Sequence, residues 1–226
     1  MKTALLYKTV IALLLIPAFA FANNGKLSGK YTKEKKLHKE YEVSSSATVN
    51  IDNSYGDIDI VTWNENRVVI DVTITTNGNN EDSVIKKLEG IDVLFDNSPN
   101  KVSAKTKFNN NKSWWNWGNN KVNMKINYVI KMPMSNNVDL SNDYGSINLD
   151  NLNGRAVIDC DYGKITTKEL MADNNDISFD YTKNSYFGYI KSGKIDADYS
   201  SYTVGKTNNL SIDADYTKSE IEIAED

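Results

Sequence analysis

A tyrosine that returns every 17 to 19 residues constrains what this chain can fold into more than any other feature. Aligned on it, the sequence reads LSNDYGSI (140–147), IDCDYGKI (158–165), ISFDYTKN (177–184), IDADYSSY (195–202) and IDADYTKS (212–219). A sixth copy, IDNSYGDI, stands apart at 51–58. Units this short cannot bury an apolar face alone, so near-constant spacing means that each fills the same slot in a stack.

Side chains alternate across a strand, so the residues four and two before each Tyr share a face with it. They are Leu140/Asn142/Tyr144, Ile158/Cys160/Tyr162, Ile177/Phe179/Tyr181, Ile195/Ala197/Tyr199 and Ile212/Ala214/Tyr216. This mostly apolar face should point inward, which makes the five tyrosines an interior stack. The intervening Ser and Asp residues should meet water. After Tyr comes Gly, Gly, Thr, Ser and Thr; a positive φ suits Thr and Ser poorly, so a bend is expected there and not a left-handed turn.

Eighteen residues at roughly 3.3 Å each close one coil, and coils stack about 4.8 Å apart through parallel ladders. The fold expected over 136–226 is therefore all-β, a single-stranded β-solenoid-like (β-helix) stack. An antiparallel meander would instead hold neighbouring tyrosines about 10 Å apart.

Upstream, residues 46–135 read as a separate β region. Ile58 to Ile60 and Val68 to Thr75 flank the polar turn at 63–66 and predict a hairpin. EDSVIKKLEG (81–90) is the one short helix, with Asn80 or Asp82 as cap and Gly90 as stop. Strands are expected at 91–96, 101–108 and 121–131. Residues 23–45 form a Lys-rich leader and first strand, for which a flexible, solvated leader is the simplest reading.

The first 22 residues, MKTALLYKTVIALLLIPAFAFA, have a basic start, an apolar run and small residues before the boundary, so they read as a secretory signal cleaved near Ala22. The run falls short of the roughly 20 apolar residues that a membrane helix needs. Export places the protein in the periplasm, at the cell surface or outside the cell. Removing the signal and its two Lys takes the net charge from −4 to −6, which disfavours nucleic acid as a partner. The single cysteine, Cys160, forms no internal disulfide.

The run VNIDNSYGDIDIVTWNENRVVIDVTI (49–74), a helix, INYVIKMP (126–133) and the stacked tyrosine units together resemble the exported adhesin-like proteins of Bacteroidetes-type bacteria, a β-strand-repeat family. The resemblance covers nearly the whole mature chain. It implies an extracytoplasmic, solenoid-like protein, and that family has no catalytic signature to carry over.

Four features compete for a functional role. The carboxylates of Asp143, Asp161, Asp180, Asp198 and Asp215, with Asp159, Asp196 and Asp213 beside them, should repel when stacked, and Ca²⁺ would relieve this; a solvated face, or Lys164, Lys183 and Lys218, would serve instead. In NNNKSWWNWGNN (109–120), Trp114, Trp115 and Trp117 either bind a surface glycan or envelope protein or cover the end of the stack. The tyrosine column reads as structural. The Lys-rich start could touch anionic envelope material.

Catalysis lacks its parts. The only His is His38 and the only Cys lies on the inward face, so zinc and Cys/His or Ser/His/Asp arrangements are missing. Regular Asp ladders show no one carboxylate set apart from its equals. The sequence thus points to a non-enzymatic adhesin-like module, with a ligand-free structural or regulatory scaffold as the rival and a β-helical polysaccharide-active enzyme as a remote third. The last unit has no capping element, so its open edge invites end-to-end pairing.

Overall fold

The computed structural model describes residues 28–109 and 121–224. The described residues are all-β with one short helix. Strands β1 (Tyr31–Glu42), β2 (Thr48–Ser54), β3 (Ile58–Trp63) and β4 (Arg67–Gly78) lead to helix α1 (Glu81–Glu89). Then follow β5 (Ile91–Ser98), β6 (Lys101–Phe108), β7 (Asn123–Pro133), β8 (Asn137–Asp143), β9 (Ser146–Leu149), β10 (Ala156–Asp161) and β11 (Lys164–Leu170). The last are β12 (Asn175–Asp180), β13 (Ser185–Asp198), β14 (Ser201–Asp215) and β15 (Lys218–Ala224).

Each tyrosine sits at a corner between two strands, and successive units add in parallel on both sides of it. Ahead of the corner, Ile158 lies beside Leu140, Ile177 beside Ile158, Ile195 beside Ile177 and Ile212 beside Ile195. Beyond it, Ile165 lies beside Ile147 and Val204 beside Phe187. Long β13 and β14 each finish one unit and begin the next. These contacts exclude the meander, which would put another strand between neighbouring tyrosines. The strands form one nearly closed, barrel-shaped sheet whose ends, β1 and β5, meet at a seam. There Lys33 pairs with Glu81 of α1 at 2.6 Å, Lys35 pairs with Asp92 at 3.2 Å, and Lys39 lies over the Phe95 ring.

The inward face is as alternation dictates through four units: Leu140, Asn142, Ile158, Cys160, Ile177, Phe179, Ile195 and Ala197 are buried. The tyrosines break the alternation. Each takes a left-handed backbone conformation, with φ of 58° at Tyr144, 54° at Tyr162, 53° at Tyr181, 51° at Tyr199 and 52° at Tyr216. That rotation swings the side chain out of the inward row, so the tyrosine column is on the surface and not in the interior. The residue after Tyr is not left-handed; the left-handed residue of the corner is Tyr itself.

Three further expectations change. The isolated copy at 51–58 is the first rung of the same stack, since β2 pairs in parallel with β8, Ile51 beside Leu140. The hairpin of β3 and β4 does not form. β7 lies between them, parallel to β3 and antiparallel to β4, and brings buried Ile126, Tyr128, Ile130 and Met132 into the core. The Lys-rich start is not a solvated leader from Tyr31 onward: it is β1, paired along its length with β4, and His38 sits 2.6 Å from Asp71 across that pair.

Helix α1 begins where Asn80 accepts a hydrogen bond from the Ser83 amide at 2.8 Å, and the Gly90 amide closes it onto Lys86. Where the upper rungs carry Asn on the inward row, a polar network satisfies them. Asn53 donates to the Ile126 carbonyl (3.0 Å) and to Asn142 Oδ1 (3.2 Å), Asn142 donates to the Gly56 carbonyl (3.0 Å), and Thr106 links Asn53 to the Tyr128 hydroxyl.

Candidate functional site

Six tyrosines form one column. Ring centroids step by 5.2 Å from Tyr55 to Tyr144, then 5.1, 4.9, 5.1 and 5.0 Å through Tyr162, Tyr181 and Tyr199 to Tyr216, with planes within 9° of parallel. This is the spacing of adjacent strands, so the rings repeat the ladder beneath them. Tyr144, Tyr162, Tyr181 and Tyr199 are 47–53% exposed, and Tyr216, covered on one side only, is 82% exposed. The ring faces are spent on one another. What the column offers outward is a line of ring edges and phenol hydroxyls, plus one open face at Tyr216.

The backbone just before each Tyr is bracketed between rungs. The amides of Tyr144, Tyr162, Tyr181 and Tyr199 donate to the carbonyls of Asp161, Asp180, Asp198 and Asp215. The carboxylates of Asp161, Asp180 and Asp198 in turn accept the amides of Asp180, Asp198 and Asp215, each at 3.1 Å. The Asp row is therefore a hydrogen-bonded ladder that braces the corner. Asp215, in the last rung, has no successor among the described residues.

A second row, Asp159, Asp196 and Asp213, lies two residues earlier on the same outer face. The field of this face is legible in its acids. Asp159 is held above the usual carboxylate range, first by desolvation and then by Asp161, Asp143 and Asp180. Asp180 is raised for the same first reason and by Asp161, Asp198 and Asp196, against a lowering from its bond to the Asp198 amide. Two carboxylates, one in each row, are thus raised. The Tyr162 phenol is also raised, by desolvation first and then by its ring neighbours and Asp161 and Asp180.

Lys164, Lys183 and Lys218 do not pair with the ladder. The cations that reach this face are Lys105 on Asp52, Arg155 on Asp176 at 3.6 Å and Lys194 on Asp196 at 3.0 Å. Among the described residues no group of three or more His, Cys, Asp or Glu side chains is placed to hold a metal ion. Asp161, Asp180, Asp198 and Asp215 run in a line and do not converge. Trp114, Trp115 and Trp117 lie outside the described residues. Cys160 is buried beneath the column, its thiol pushed up to about 12 by desolvation and then by Asp161, opposed by its bond with Lys164.

Alternation alone could not reveal the outward column. The signal that carries it is the invariance of Tyr, which follows Asp in five of the six copies and Ser54 in the other, while the inward position two before it varies from Asn to Cys, Phe and Ala.

No family model matches the chain, and no curated protein matches it. Solved structures with a likeness to it include a provisionally named cell adhesion protein of Clostridium sporogenes: 10% identity, TM-score 0.33, 86% of this chain and all of that one. A provisionally named adhesin of Bacteroides fragilis has 12% identity and TM-score 0.28, over 84% and 97% of the two chains. A provisionally named lipid binding protein of Parabacteroides distasonis has 10% identity and TM-score 0.30, over 84% and 96%. Among the described residues no helix is long and apolar enough to cross a membrane.

Proposed function

We propose that the protein is a non-enzymatic, exported, adhesin-like interaction module of the cell envelope, whose stacked coils are a β-solenoid that meets an extended partner along its length. The carrying observation is the surface column of six tyrosines, about 25 Å long at one ring per strand spacing, beside rows of carboxylates in the same register. A site with a constant repeat suits a partner that is itself extended and repetitive, such as a surface glycan or envelope polysaccharide. It would meet ring edges, phenol hydroxyls and carboxylates, because the ring faces are occupied. Trp114, Trp115 and Trp117 are a second proposed contact, and Ca²⁺ along the Asp row a proposed modulator. Export rests on the signal-like residues 1–22.

The test is a glycan and envelope-polysaccharide binding screen on the mature protein, with and without Ca²⁺. Beside it run a Tyr162→Ser/Tyr181→Ser variant and a Trp114→Ser/Trp115→Ser/Trp117→Ser variant. Saturable binding lost in the tyrosine variant places contact on the column. Loss only in the tryptophan variant moves it to the loop. Absence of binding by the folded protein in either condition favours the ligand-free scaffold. Turnover abolished by one Asp→Asn change would instead indicate a polysaccharide-active enzyme.

A further inference from the structure

The last described rung is built like the others but is not covered as they are by any described residue. In β14, residues 209–215 pair on one side with β13, Ile212 beside Ile195 and Ala214 beside Ala197, and among the described residues pair with no strand on the other. Ile195 and Ala197 are fully buried, whereas Ile212 is 38% exposed. The edge alternates without fault: Leu210, Ile212 and Ala214 face the interior row, and Ser211, Asp213 and Asp215 face out. An unpaired strand edge with an uncovered apolar row is a template for a further strand.

The opposite end of the stack offers no such template. Its edge strands, β1 and β5, meet at the seam beside α1, where Lys33–Glu81 ties β1 to α1 and Lys35–Asp92 ties β1 to β5. End-to-end growth from copy to copy is therefore blocked at one end. A pair of copies joined at their open ends would bring a second set of Asp213 and Asp215 carboxylates to an edge that already carries its own Asp213 and Asp215, with Asp196 and Asp198 one strand behind. Like charges placed opposite one another on a sheet are destabilising.

The geometry points to a different occupant: the free edge of β14 at 209–215 accepts a strand donated by another protein, with alternating apolar and Lys or Arg residues. Added in parallel as the next rung, its apolar residues cover Ile212 and Ala214, and its cations stand opposite Asp213 and Asp215. The apolar row and the ladder hydrogen bonds supply affinity; the carboxylates supply selectivity. The inference is independent of binding along the tyrosine column.

The test uses the mature protein and three ten-residue peptides: Ile alternating with Lys, the same with Glu for Lys, and the same with Ser for Ile. Fluorescence anisotropy should show saturable binding of the Ile/Lys peptide alone. Binding should weaken at least tenfold in Ile212→Asp, a change in the last, half-open rung that circular dichroism should find folded. Asp213→Asn/Asp215→Asn should also weaken it and flatten its salt dependence. The inference is overturned if the Ser/Lys peptide binds equally well, if Ile212→Asp has no effect, or if no peptide binds. It is equally overturned if sedimentation shows a concentration-dependent dimer that Ile212→Asp dissolves, since the edge then belongs to a second copy.

Discussion

Tyr55 stacks on Tyr144 with ring centroids 5.2 Å apart and planes 8° from parallel, although 89 positions separate them in the chain. The relationship makes β2 and β3 the first rung of a column whose other rungs follow one another directly. Residues 64–136 are an excursion that leaves the stack, builds β4, α1, β5, β6 and β7, and returns. β6 then flanks β2 on the side opposite β8, and β7 flanks β3 on the side opposite β9.

The left-handed corner should be visible in a pair of substitutions at Tyr181. Both Tyr181→Ala and Tyr181→Gly lose two ring contacts, worth about 0.5–1.5 kcal/mol each. Ala also meets the left-handed penalty of about 1–2 kcal/mol, which Gly avoids. Urea unfolding should therefore rank the tyrosine protein above Tyr181→Gly, and Tyr181→Gly above Tyr181→Ala by about 1 kcal/mol. An inverted order of the two variants would refute backbone conformation as the reason.

Gly163 should not accept a side chain. A Cβ there would lie 1.9 Å from the Gly145 carbonyl oxygen, just as one at Gly145 would lie 1.9 Å from that of Gly56. In later rungs the same place is held by Thr182, Ser200 and Thr217, where the Ser200 and Thr217 hydroxyls accept the amides of Thr182 (3.1 Å) and Ser200 (3.0 Å). Gly163→Ala is expected to cost about 3 kcal/mol or more, while Ser200→Ala should cost about 1–2 kcal/mol through lost hydrogen bonds. Denaturation midpoints of the two variants decide it.

The acidic face should oppose folding at neutral pH. Asp159 and Asp180 bind a proton more readily folded than unfolded, so their contribution favours the folded state below the ordinary carboxylate range and is lost as pH rises through their raised values. Asp150 has the opposite sign: its hydrogen bond with Lys168 lowers it, so it stabilises above the carboxylate range and loses that effect on acidification. Asp159→Asn and Asp180→Asn should raise Tm at pH 7, with the gain shrinking as pH falls through the carboxylate range. Added salt should shrink it too, since screening acts over about 8–10 Å. Melting curves from pH 3 to 7 that show a constant gain would contradict this account.

Cys160 should be inert while the protein is folded. It is fully buried and its thiol is pushed up to about 12, so little thiolate exists near pH 8. A thiol-reactive chromophore should label no protein in buffer and one equivalent in denaturant; rapid labelling of the folded protein would show that the rung opens.

What could be read in the sequence was local. The short helix over 81–90, whose cap the sequence narrowed to Asn80 or Asp82, the strands near 91–96 and 101–108, and the inward row of Ile158, Ile177 and Ile195 follow from caps and period-two patterning. Two misreadings have separate causes. Parity placed Tyr162 inside because period two holds only while φ stays in the β region, and a left-handed residue at a corner ends it. Adjacency paired β3 with β4 because a short polar turn joins them; the strand between them arrives from Asn123–Pro133, and turn composition does not report it.

The sequence by itself determined the repeat, its period near 18 residues and the apolar and acidic rows that each rung must present, because these are set by side-chain chemistry and strand geometry. Only the tertiary structure decided that Tyr55 joins the column and that the rings lie outside. It alone left Ile212 part-exposed, without a cover among the described residues. The first and last depend on which distant strands meet, a matter of long-range burial and backbone hydrogen bonding, and the second on the left-handed backbone at each corner; period-two patterning encodes none of them.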